Sequence, residues 1–310
     1  MQSATTAHTP ENSATTLTAT PSVVSDVTSL MKPRLSSLVL VTTAGGLWLA
    51  PGKLGLLNAT LSIFATAGVV GAANALNCYL ERDSDRFMRR TQGRPLPAGR
   101  MASRFALVFG VLLALVSHTV LLLASNWVAA GLAALAFGSY VWIYTPMKPR
   151  TAMAVLVGTI PGAIPPVIGW AAASPELGAP ALVLFGILVL WQIPHFLAIS
   201  IKLEGEYAKA GLRTFSGSYG LQATRWGILI AAIALLAVCV LAVPLGLASW
   251  IYLATAAGFG GYGVWKAIVG FRVRDTKDVG PWATSLFKYS LIHLSVLFLA
   301  MVVDGLVMSR

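Results

Sequence analysis

The sequence predicts an all-α polytopic membrane protein, with nine transmembrane helices bundled around a central cavity that opens to the cytoplasmic side. Three observations carry this expectation. Of 310 residues, 56% are hydrophobic and only 11% are charged, and mean hydropathy is +0.76, more apolar surface than one soluble core can hide. Chargeless runs cover residues 35–52, 54–80, 105–147, 151–175, 177–201 and 226–265, with a last apolar segment from Tyr289. Lys and Arg crowd into alternate gaps between these runs.

A spanning helix takes about 20 residues, so the first two runs give helices 1 and 2. The run 105–147 is long enough for helices 3 and 4, with Ser125-Asn126 as the natural turn. Residues 151–175 give helix 5, where Gly158, Pro161, Gly162, Pro165, Pro166 and Gly169 predict a kink. Residues 177–201 give helix 6. The run 226–265 divides at Pro244 to Gly246 into helices 7 and 8, and Tyr289 opens helix 9.

The formal net charge is +11, which in a soluble protein suggests nucleic acid. Its distribution excludes that partner. All Lys and Arg but Lys53 and Arg310 precede helix 1 or lie between helices 2 and 3, 4 and 5, 6 and 7, or 8 and 9. The positive-inside rule therefore predicts a cytoplasmic N-terminus and a C-terminus on the opposite, periplasmic or extracellular, side of a bacterial inner (plasma) membrane. Residues 1–27, rich in Ser, Thr and Ala, read as a disordered cytoplasmic tail, and 28–310 as the nine-helix domain. The two cysteines, Cys78 and Cys239, lie at or within apolar runs and do not suggest a disulfide framework.

Chemistry concentrates where helix 2 ends. Asn77, Glu81 and Asp85 stand four residues apart, within about 80° of one face if the helix continues. Oxygen ligands of this kind suit Mg²⁺, which keeps several waters and shares its carboxylates with a substrate phosphate. Asn77 to Asp85 spans about 12 Å along a helix, so two ions, or one with bridging waters, are expected. Asn74 falls in the same arc, and Asp83 points away. Glu206 is the candidate for a second ion, with Lys202 one turn earlier.

A diphosphate also needs positive charge around its oxygens. Arg89, Arg94, Lys148, Arg150 and Lys202 are the candidates, each of which also serves as an ordinary positive-inside residue. Asn77, Glu81, Asp85 and Lys202 form the expected catalytic set. His195, late in helix 6 within Trp191-Gln192-Ile193-Pro194-His195-Phe196, has the chemistry to ligate a haem iron or shuttle a proton, or to sit hydrogen-bonded in the core.

Together these residues resemble the UbiA-type intramembrane prenyltransferases. The resemblance runs from about residue 30 to 308. It rests on Lys32-Pro33-Arg34, on Asn77 through Asp85, on Met88-Arg89-Arg90-Thr91 leading to Arg94-Pro95-Leu96, and on Tyr144 through Lys148. It continues through Ile160-Pro161-Gly162, Trp191-Gln192 with Pro194-His195-Phe196, and Glu206-Tyr207 with Ala210-Gly211. What it implies is transfer of a farnesyl group from farnesyl diphosphate to a vinyl group of haem B, with water added, in a Mg²⁺-dependent reaction. Haem B is then a substrate rather than a cofactor, with His195 positioning it by its iron. The resemblance leaves open a haem A synthase or terminal oxidase assembly as downstream partner. Glu206 stands where Asp is commoner, and Pro149 interrupts the basic run. The alternatives are a related enzyme for another aromatic or tetrapyrrole acceptor, a secondary transporter, and a non-catalytic haem-handling factor.

Overall fold

A computed structural model describes residues 22–307, the side chains of 34 and 35 excepted. Every regular element among the described residues is helical. Ten helices follow one another: α1 Val23–Leu30, α2 Pro33–Leu49, α3 Leu56–Leu80, α4 Ser103–Ala124, α5 Trp127–Met147, α6 Ala154–Ala173, α7 Ala179–Lys209, α8 Phe215–Leu241, α9 Trp250–Arg272 and α10 Thr276–Val307. Seven of them, α3 to α8 and α10, are long and apolar enough to cross a membrane. The expected first helix is shorter, its apolar part being Ser36–Leu49. In α9 the glycines, tyrosines and Lys266 dilute the hydropathy of a 23-residue helix.

Small residues face inward and large ones outward, as expected where lipid rather than water covers the surface. The buried face of α4 is Ala106, Gly110, Ala114, Ser117, Leu121 and Ala124, while Leu112, Leu115, Val116 and Leu123 are exposed. Two cores result. One joins α3, α4, α5 and α6 through Val69, Leu121, Ala133, Ile164 and Ile168. The other joins α6 to α10 through Trp170, Leu184, Ile187, Trp191, Leu235, Tyr252, Leu294 and Leu297. Helix α6 belongs to both and also packs on α2.

Backbones touch where α2 crosses α6. A Cβ on Gly46 would stand 1.9 Å from the Pro166 carbonyl oxygen, and one on Gly169 would stand 1.9 Å from that of Thr43. Neither backbone can move aside alone, so Gly169→Ala is expected to cost about 1–3 kcal/mol and lower the melting temperature in detergent. Gly131→Ala is the control: a Cβ there meets nothing within 4 Å, and unchanged or raised stability is expected for it. Equal melting temperatures for the two variants would show that this crossing is loose.

Turns fall where the sequence places them. Asn126 caps α5, its Oδ1 accepting from the Val128 and Ala129 N–H groups at 3.0 and 3.1 Å while its Nδ2 donates to the Ala171 carbonyl at 2.7 Å. Gly246, at φ +71, sits in the turn between α8 and α9. The expected kink of helix 5 is a break at Gly158, where the segments Ala154–Val157 and Thr159–Ala173 meet.

Three expectations need correction. Residues 1–21 of the expected disordered tail lie outside the described residues, as does Arg310, but from Val23 the chain is helical and Asp26 is buried against Arg100. The last helix starts at Thr276, not Tyr289, because a helix running past the apolar zone tolerates Lys277, Asp278 and Lys288 in water. For the same reason α7 runs to Lys209 and carries Glu204 and Glu206 on different faces.

Candidate active site

The site gathers where α3 ends. Helix α3 stops at Leu80 rather than running on to Asp85, and Glu81 is its C-cap. Local polar groups take over its last carbonyls: Arg82 donates to Tyr79 O at 2.7 Å and Ser84 to Glu81 O at 3.0 Å. Asp85 lies beyond, in the 3₁₀ turn Ser84–Phe87, yet its N–H still donates to Glu81 O at 2.8 Å. The pitch therefore survives for one turn after the regular helix has ended.

Each of the three oxygen-bearing side chains meets a cation. Asn77 is fully buried; its Oδ1 accepts from Lys32 Nζ at 2.8 Å, and its Nδ2 donates to Thr145 Oγ1 at 3.2 Å. Glu81 pairs with Lys148 at 2.7 Å. Asp85, also fully buried, pairs through Oδ2 with Arg94 at 2.6 Å, while its Oδ1 is buried without a hydrogen-bond partner among the described residues. Asp83 points away and pairs with Arg82 at 3.7 Å.

Irregular backbone supplies the partners. Lys32 is the one non-glycine residue at positive φ among those described, +51, and Pro33 locks the start of α2 behind it. That left-handed residue aims the ammonium at Asn77. In α5 the segment Ser139–Tyr144 widens to a π-helix, a feature that often marks functional sites. It turns Tyr140 to Asn74, hydroxyl to Oδ1 at 3.5 Å. Thr145 bonds back to Tyr140 O at 2.8 Å, and the Tyr144 ring lies 4.6 Å beneath Lys148 Nζ. The loop after α3 is anchored by buried Met88, Thr91 and Leu96 and strapped to α1 by Arg100, which grips Asp26 with two bonds of 2.8 and 3.1 Å.

Burial and charge act against each other here. Burial disfavours the Glu81 carboxylate, but Lys148, with Lys32 and Asn77, outweighs it and holds the group below the usual range. Burial likewise opposes the Lys148 ammonium, and Tyr144 and Glu81 hold it above its ordinary value. Among the described residues Lys32 has no carboxylate in contact: burial pushes it down to about 8, opposed by Cys78 and Glu81 and reinforced by Arg94 and Lys148.

Not every expected residue joins the cluster. Lys202 and Glu206 make no hydrogen bond or ion pair with it among the described residues. Lys202 lines a separate cleft of about 680 Å³ with Glu204, Ser216, Thr276, Pro281 and Thr284, between α7, α8 and α10. The helical course of α7 sends it there. Arg89 and Arg150 are exposed at the rim. Lys32, Thr145 and Tyr207 were missed. Tyr207 lies near Arg90, one residue from the Glu206 singled out by charge.

His195 is half-buried in α7. It stacks on Trp191 at 4.8 Å and lies 4.7 Å from the Phe287 ring.

Among the described residues no three His, Cys, Asp or Glu side chains gather to hold a metal ion. What gathers is an amide and two carboxylates, each facing a positive charge, with one carboxylate oxygen of Asp85 unsatisfied. That donor set fits a hard cation completed by waters and substrate oxygens, not a protein-only cage.

A helical bundle with spans of membrane length, and with oxygen-bearing side chains paired to cations at the end of one of them, falls in the class of intramembrane enzymes. Within that class the chain belongs to the UbiA prenyltransferase family, whose model matches residues 39–292. Two relatives called protoheme IX farnesyltransferase, from Anaeromyxobacter dehalogenans (strain 2CP-C) and Myxococcus xanthus (strain DK1622), are each 48% identical to it. The alignments cover 89% and 92% of this chain and 92% and 96% of theirs. Among solved structures, digeranylgeranylglyceryl phosphate synthase shares the fold at a TM-score of 0.75 and 16% identity, over 91% of this chain and 98% of its own. A UbiA homolog from Archaeoglobus fulgidus bound to DMAPP and Mg²⁺ does so at 0.64 and 16%, over 88% and 100%.

Proposed function

We propose that the chain transfers a farnesyl group from farnesyl diphosphate to a vinyl group of haem B, making haem O and releasing diphosphate. The observation that carries the site assignment is the oxygen cluster at the end of α3, with Asp85 Oδ1 buried and unsatisfied. The choice of substrates draws on the two relatives at 48% identity. Ser36–Leu49 and α9 are counted as spans with the seven longer helices, giving nine, with the site open to the cytoplasm of a bacterial inner membrane.

In the reaction the bond between farnesyl C1 and the diphosphate oxygen breaks and its electron pair leaves with diphosphate. The vinyl π pair forms the new carbon–carbon bond, and the positive charge moves to the carbon next to the macrocycle. Water adds there and loses a proton. Asn77, Glu81 and Asp85 are the groups that would hold Mg²⁺, with Glu206 the candidate for a second ion, and the metal when bound would draw charge from the leaving diphosphate. Arg94 and Lys148, already in the cluster, bind and orient its oxygens, with Lys32 beside them and Arg89, Arg150 and Lys202 at the periphery. The apolar bundle holds the farnesyl chain and excludes bulk water from the cation. His195 holds the acceptor by its iron.

The test is purified protein with haem B, farnesyl diphosphate and Mg²⁺, followed by mass analysis of the porphyrin. A product heavier by one farnesyl group and one hydroxyl group is expected, made only when Mg²⁺ is present. Unmodified haem B alongside a prenylated quinone precursor, when both acceptors are offered, overturns the acceptor assignment.

A further inference from the structure

Ser290 of α10 holds two rings of α7 at once. Its carbonyl oxygen accepts from Trp191 Nε1 at 2.6 Å. Its Oγ lies 2.8 Å from His195 Nδ1 and 2.7 Å from the carbonyl oxygen of Phe287. A hydroxyl has one proton, and a carbonyl can only accept, so that proton goes to Phe287. The contact with His195 is then Nδ1–H donating to Ser290 Oγ. A neutral imidazole carries one ring proton, which leaves the lone pair on His195 Nε2.

The other described histidines show what sets His195 apart. His293 bonds Tyr289 through Nδ1 at 3.0 Å, and His118 bonds the Ala114 carbonyl through Nδ1 at 2.7 Å. In both, Nε2 is buried with no hydrogen-bond partner among the described residues. His195 Nε2 is not closed off in this way, and its ring is fixed between Trp191 and Phe287.

We infer that Ser290 is a positioning residue that fixes the tautomer and orientation of His195 so that Nε2 meets the iron of a haem substrate. This rests on the reading of the acceptor as haem. A histidine that ligates a metal donates its other ring N–H to a fixed acceptor, and loss of that acceptor weakens ligation by about 10–100-fold. Serine hydroxyl does this without adding charge at membrane depth.

The test uses ferrous haem B and full-length protein in detergent, without prenyl diphosphate, reading haem affinity and the iron–histidine stretching band. Wild type is expected to show the band and His195→Ala to lose it. Ser290→Ala is expected to bind at least about tenfold more weakly with a shifted band, and Ser290→Thr to restore both. A Ser290→Ala protein with wild-type affinity and band position overturns the inference, as does a band that survives in His195→Ala. Haem bound through His195 but never farnesylated would instead count against the proposed reaction alone, so the two failures are distinguishable.

Discussion

Alanine at Asp85 is expected to abolish release of diphosphate from farnesyl diphosphate, a loss of at least about 10³-fold, while the protein stays folded in detergent. Asp85 combines full burial, one oxygen on Arg94 at 2.6 Å and one oxygen with no partner. A fully satisfied ion pair would be a structural element; an unsatisfied oxygen at the same carboxylate is costly unless a ligand completes it. Removing the carboxylate also leaves Arg94 unpaired. Its side chain is 25% exposed and reaches water, so the folding penalty is smaller than for a sealed pair. Asp85→Asn separates the two roles, because it keeps the volume and an oxygen for Arg94 but loses the charge a metal requires. Both variants are expected to lose turnover, and Asp85→Asn to melt within a few degrees of wild type. Undiminished turnover in either one, at any Mg²⁺ concentration, removes Asp85 from the site.

How much of this was legible follows from what the sequence encodes directly. Chargeless runs give spans because the bilayer imposes length and apolarity on each segment separately, and turns at Asn126 and Gly246 follow from local chemistry. The i, i+4 spacing placed Asn77, Glu81 and Asp85 together even though the regular helix ends at Leu80, since the Asp85 N–H keeps its bond to Glu81. The partners were harder to read. Which cation meets which oxygen depends on how α2 and α5 pack on α3, and spacing along one chain segment carries no such information. Lys32 reaches Asn77 from 45 residues away through a left-handed backbone step. Lys202 was grouped with the cluster by charge and proximity to Glu206, while the course of α7 turns it toward α10. Glu206 was chosen for its charge, and the side chain that lies near Arg90 is its neighbour Tyr207.

Binding of farnesyl diphosphate is expected to weaken as pH rises above about 8, by up to about tenfold per pH unit, and Lys32 is the reason. Burial pushes its ammonium down to about 8, so in the free protein it loses its proton as pH passes that value. An anion arriving beside it favours the charged form, and binding therefore takes up a proton between the free and bound values. Proton uptake on binding means affinity falls as pH climbs through that window. The sign for folding is opposite: an unfolded lysine titrates near 10.4 and holds more protons between about 8 and that value. Lys32 therefore costs stability below pH 8, and the cost is relieved as pH rises. Lys32→Arg keeps its charge throughout, so its affinity should stay flat across the same range. Lys32→Met should be flat and weak, roughly 10²-fold below wild type at pH 7. Titration calorimetry in two buffers of different ionisation enthalpy reads the proton directly: uptake at pH 9 in wild type, none attributable to this site in either variant. The substrate's own ionisation is common to all three proteins and cancels in the comparison. Equal pH slopes in wild type and Lys32→Arg would move the titrating group elsewhere and leave Lys32 as a structural donor to Asn77.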